Sequence, residues 1–107
     1  MKTPEGYEKD DTAKYLDSIG AWHFRPFMAG YGKSGVADIV ACIPITITLD
    51  MVGHQFGVFA SLEVKREGKE PTALQNIRIN DVREAYGFAT WGTAARIIRQ
   101  IKLHLKK

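Results

Sequence analysis

The spacing of apolar positions changes several times along the chain, and each change marks an element. Thr12, Tyr15, Leu16 and Ile19 fall on one helical face, behind a Thr3-Pro4-Glu5 start. Thr suits the N-cap, Pro suits the first helical position, and an acid in the first turn complements the helix dipole. Gly20 ends this helix. Residues 21–29, AWHFRPFMA, are aromatic-rich and read as a strand, and Gly30-Tyr31-Gly32-Lys33-Ser34-Gly35 reads as a loop. Val36 to Ile43 is a β-branched run with Asp38 inside it. Ile45-Thr46-Ile47-Thr48 alternates, as a short extra strand would, before a turn near Gly53.

From Val58 the alternation is clean: Val58, Ala60, Leu62 and Val64 on one face, Phe59, Ser61, Glu63 and Lys65 on the other. A helix follows, capped by Thr72, with Leu74, Ile77, Val82 and Ala85 along one side and Gly87 at its end. Phe88 to Trp91 is a short strand, and Ala94, Ile97, Ile98, Ile101 and Leu105 mark a last amphipathic helix. The expected order is α-β-β-(β)-β-α-β-α. That is an α/β chain of α+β type, with one mixed sheet flanked by helices, in a single domain over residues 1–107.

Composition adds little until its distribution is considered. The net charge of +3 permits a polyanionic partner without requiring one. From Lys65 onward there are ten Lys or Arg against four acids, so the second half is basic. In the last helix Arg96, Arg99, Lys102 and Lys106 stand off the apolar stripe. The single cysteine, Cys42, excludes an intrachain disulfide and suggests no cysteine zinc site, which fits a reducing cytoplasm. No apolar run reaches the roughly 18 residues needed to span a bilayer, so no membrane partner is expected. The start Met1-Lys2-Thr3-Pro4-Glu5 has no apolar signal segment.

The candidate chemistry centres on Asp38 and, 25 residues on, Glu63-Val64-Lys65. Glu63 and Lys65 leave the same face of their strand. Phosphodiester hydrolysis needs a hard cation to offset charge on the phosphoryl oxygens and to acidify a water. Two carboxylates on neighbouring strands suit Mg²⁺, and a lysine beside them can hold the water or bind transition-state charge. A strand with one solvated polar face accounts for Glu63 and Lys65 equally well. Asp38 tilts the balance, because a charge within an apolar strand is costly unless paired or metal-bound.

The stretches Gly35-Val36-Ala37-Asp38-Ile39, Phe59-Ala60-Ser61-Leu62-Glu63-Val64-Lys65, Thr72-Ala73-Leu74-Gln75 and Tyr86-Gly87-Phe88-Ala89 resemble a stand-alone VRR-NUC domain. This is a family of the PD-(D/E)XK nuclease superfamily, frequent in phages and prophages. The resemblance runs from Thr3-Pro4-Glu5-Gly6 to the last helix, with Ala37-Asp38 in place of the superfamily's Pro-Asp. It implies a restriction-endonuclease-like core and a Mg²⁺-dependent DNA endonuclease, with Mn²⁺ able to substitute. Branched or four-way-junction DNA is the implied substrate and a homodimer the implied unit, in a bacterial or phage-infected cytoplasm. Carried over by motif, Asp38, Glu63 and the Val64 carbonyl are metal ligands, Lys65 is the catalytic lysine and Gln75 the helix glutamine. Thr72-x-x-Gln75 is also a capping box, and both roles can hold. Glu5 fits the further acid of the first helix better than Glu8 does, although a helix N-terminus favours an acid anyway.

Tyr31, Lys33 and Ser34 in the glycine loop, with Arg66 and Lys69, are candidate DNA contacts. Gly32-Lys33-Ser34 resembles the end of a P-loop, but that pattern needs a glycine where Phe27 stands, and a strand follows, not a helix. No nucleotide cofactor is expected. His23, His54 and His104 lack metal-ligand spacing. A catalytically silent nucleic-acid-binding module with the same fold is the alternative to an enzyme. A small basic interaction protein is a third reading, and it leaves Asp38 without a role.

Overall fold

The computed structural model describes residues 2–26, 35 and 37–105. In chain order the elements are α1 (Pro4–Ser18), β1 (Trp22–Phe24), β2 (Val40–Cys42), a 3₁₀ turn (Leu49–Met51), β3 (Ala60–Val64), α2 (Ala73–Glu84), β4 (Phe88–Gly92) and α3 (Ala94–Leu105). The class is mixed α and β, as expected. The single mixed sheet is not formed among the described residues. β1 and β2 make an antiparallel pair, and β3 and β4 a parallel one. Two parallel strands need a long crossover, and α2 supplies it, so β3-α2-β4 is a βαβ unit.

Local signals set the helix boundaries. Thr3 Oγ1 accepts the Gly6 N–H at 3.0 Å with Pro4 at the first position, and Gly20 leaves α1 at a φ of 76°. At α2 the capping box closes in both directions. Thr72 Oγ1 accepts from Gln75 N at 3.2 Å, and Gln75 Oε1 accepts from Thr72 N at 2.9 Å. Two expected strands are shorter or absent. Of the aromatic stretch, Trp22–Phe24 forms a strand among the described residues, while 27–29 lie outside them, and residues 43–48 hold none. Pro44 removes a ladder donor there, and among the described residues no strand pairs with this segment. The chain instead turns through Leu49–Met51, with Met51 N–H on the Thr48 carbonyl.

The core lies between α2 and one face of the β3–β4 pair. Ile79, Val82 and Ala89 are its buried centre, with Trp22, Phe59 and Trp91 packed around them. The inward side of α2 is therefore Ile79, Val82 and Ala85, while Leu74 and Ile77, placed on that side from sequence, are exposed. The same docking corrects β3. Its apolar positions Val58, Leu62 and Val64 are exposed, and the Phe59, Ser61, Glu63 and Lys65 face is half-buried. Cys42 ties the other strand pair to this core. Its thiol lies 3.5 Å from the Ala85 carbonyl oxygen, and a Cβ on Gly87 would come within 2.7 Å of its Sγ. No helix among the described residues is long and apolar enough to cross a membrane.

Candidate functional site

The Glu63–Lys65 half of the site is built by β3. The two-residue repeat brings both side chains to the face that α2 covers, with Lys65 Nζ 3.9 Å from Glu63 Oε2. Their side chains keep 34% and 20% exposure, enough shelter to strengthen the pair's electrostatics while leaving it accessible. Opposite Glu63 in the ladder stands Trp91, and the Lys65 N–H donates to the Gly92 carbonyl at 2.8 Å. That bond fixes the direction of the preceding peptide. In a trans peptide the C=O opposes the N–H, so the Val64 carbonyl points away from β4, toward the edge of β3 that is open among the described residues. It is a hard oxygen acceptor not consumed by that strand pair.

The Asp38 half is built by α1 and the chain entering β2. Here the expectation of a charge buried in a strand is corrected. Asp38 lies in a bend ahead of β2, and its side chain is 69% exposed. The strand proper begins only at Val40, so water solvates the carboxylate. Asp38 shares a cavity of about 330 Å³ with Glu5, Glu8 and Thr12. Lys9 bridges it, with Nζ 3.4 Å from Glu5 Oε1 and 3.8 Å from Asp38 Oδ1. Lys9 escaped the sequence reading, although its spacing from Glu5, one helical turn, was available as a signal. Glu5 and Glu8 both line this cavity with Asp38, so either acid stands within the same recess.

Asp38 thus stands just ahead of one strand pair and Glu63 within the other, and each carboxylate has its own lysine. Among the described residues no three His, Cys, Asp or Glu side chains gather as a metal cage. The donor chemistry nonetheless suits a hard divalent cation: two carboxylates and one carbonyl, with no soft ligand. Gln75 is engaged by its Oε1 in the α2 cap, which leaves its amide N–H₂ as free donor capacity. Arg66 and Lys69 are exposed in the β3–α2 loop. Tyr31, Lys33 and Ser34 lie outside the described residues. No family model, curated protein or solved structure matches the chain.

Proposed function

We propose that the protein is a metal-dependent DNA endonuclease of the VRR-NUC type, with a PD-(D/E)XK core. The observation that carries this reading is the Glu63–Lys65 pair. A carboxylate and an ammonium lie 3.9 Å apart on one sheltered strand face, with the Val64 carbonyl turned to the strand's open edge. Asp38, Glu63 and that carbonyl would hold Mg²⁺ or Mn²⁺. The ion, when bound, offsets charge on the phosphoryl oxygens and acidifies a water. Lys65 binds a non-bridging oxygen of the scissile phosphate or orients the attacking water, and its charge offsets repulsion as phosphate approaches Glu63. Gln75 donates its amide N–H₂ to the substrate while its oxygen keeps the helix capped. The substrate is branched DNA, four-way junctions included. The active unit is a homodimer, since two sites in a fixed two-fold relation cut two strands symmetrically.

A binding module without catalysis is the second reading. The Lys9–Asp38 pair and the separation of the two carboxylates between strand pairs favour it. Incubation with Mg²⁺ or Mn²⁺ and plasmid or four-way-junction DNA decides between them. Cleavage that vanishes in Glu63→Gln supports the nuclease, and binding without cleavage by the wild type supports the module.

A further inference from the structure

Beyond the candidate site lies a cleft of about 610 Å³, between the β3–α2 loop and the start of α3. Arg66 and Lys69 project from the loop and Arg96 and Arg99 from the helix, with Trp91 and Gly92 at the carboxyl end of β4 between them. Glu67 and Glu70 border the same cleft, yet none of the four cations forms an ion pair with an acid among the described residues. Elsewhere in the chain lysines and arginines do take such partners: Lys2, Lys9, Arg25, Lys65 and Arg78. Four cations against two acids that pair with none of them leave the cleft net positive, and an anion in the cleft lowers that potential.

Two details show that the cleft is shaped. The Arg96 guanidinium carbon sits 4.4 Å from the Trp91 ring centroid, so a cation–π contact holds the fork in place before any ligand arrives. Gly92, at a φ of 140°, makes room for it, since a Cβ there would stand 2.5 Å from Arg96 Cδ. Arg96 and Arg99 are one helical turn apart and face the loop cations across the cleft. A strand laid between these walls would have cations on both sides of its backbone. A duplex presents its phosphates on a convex surface, whereas a recessed basic groove with an aromatic and stacked arginine at its floor suits a single strand.

We propose that this cleft binds the phosphates of a single nucleic-acid strand and leads that strand past Glu63 and Lys65. The inference rests on the nucleic-acid half of the proposed function and is independent of cleavage. It is tested in EDTA, by fluorescence anisotropy of a labelled single-stranded oligodeoxynucleotide across a salt series. Arg96→Ala/Arg99→Ala and Arg66→Ala/Lys69→Ala should each weaken binding about tenfold or more. Each should also make the log–log salt dependence shallower by about 1.4, the loss of two single-strand phosphate contacts. Arg96→Lys/Arg99→Lys keeps the charge and should keep the slope, which covers the case in which the alanine pair fails to fold. In a Trp22→Phe background, Trp91 fluorescence should change saturably with the oligonucleotide.

An unchanged slope in both alanine pairs overturns the proposal. So does a duplex of equal length bound as tightly with the same dependence on these four residues, or inorganic phosphate saturating the Trp91 signal as effectively as the oligonucleotide. Wild-type protein that binds the strand in EDTA but never cleaves DNA with Mg²⁺ leaves the cleft standing and removes the nuclease.

Discussion

At the scale of single residues, Glu63 is the most informative. It is paired, half-sheltered and isosteric with glutamine, so Glu63→Gln removes a charge with little change of shape. The expected result is cleavage reduced below detection with DNA affinity in EDTA unchanged, measured by plasmid nicking and anisotropy on the same preparation. Near-wild-type cleavage would remove Glu63 from the site. Asp10 makes a second residue-scale prediction. The Lys2 ammonium first, and then the Arg25 guanidinium, hold its carboxyl below the ordinary aspartate value of 3.8. A depressed carboxyl stabilises the fold above its ordinary value and loses that contribution as pH falls through the depressed one. Asp10→Asn should therefore melt below wild type at neutral pH, and the gap should close below about 3.8. A gap that is constant with pH would separate Asp10 from the acid limb of stability.

The residue scale also shows what the sequence could disclose. The same-face relation of Glu63 and Lys65 was legible because strand periodicity is local. The exposure of Asp38 was not, because its apolar neighbours, Val36 and Ala37 before it and Ile39, Val40 and Ala41 after it, imitate a strand that the chain begins only at Val40. Lys9 between Glu5 and Asp38 was hidden for another reason: Asp38 reaches α1 only through tertiary folding.

At the scale of elements, α2 organises the molecule, and its ends are where sequence and structure agree best. Both partners of its capping box lie within four residues, so no distant contact was needed to foresee it. Thr72→Ala should cost about 1 kcal/mol, read by chemical denaturation. A cost near zero would show that solvent replaces the cap without loss. Which faces α2 and β3 bury was not legible, since both faces of β3 carry apolar residues. Phe59 on the half-polar face, not Leu62 and Val64, joins Val82 in the core. The corner after α2 is tighter than the sequence indicates. A methyl on Gly87 meets Cys42 Sγ at 2.7 Å and Val82 Cγ1 at 2.8 Å, so Gly87→Ala should destabilise by about 1–3 kcal/mol through overpacking. Burial also raises the Cys42 thiol above its usual value. Native protein at pH 8 should accordingly react slowly with a thiol reagent, and quickly once unfolded.

At the scale of the whole molecule, the distribution of apolar surface is unusual. The radius of gyration is 16.4 Å, against about 13 Å for a compact chain of this length. Leu49, Val52, Val64, Ile47 and Ile45 are all more than half exposed, and Leu49 reaches 91%. Apolar side chains gathered in the 43–58 segment and along β3 mark a surface suited to a partner, and the proposed homodimer supplies one. Light scattering at micromolar concentration should return a mass near twice the chain's 12.0 kDa. A monomer mass together with full nuclease activity would refute the dimer.

The alternation that turns the Val64 carbonyl outward also assigns every amide of β3 to one side or the other. Those of Ser61, Glu63 and Lys65 face β4, while those of Ala60, Leu62 and Val64 face the open edge. Deuterium uptake resolved by residue would therefore show a two-residue rhythm along this strand, slow and fast in turn. Dilution gives that rhythm a second meaning. If a second chain covers the edge, the fast set becomes slow at high protein concentration and quickens again on dilution, while the slow set stays as it is. One strand would then report its internal pairing and its external pairing in the same experiment.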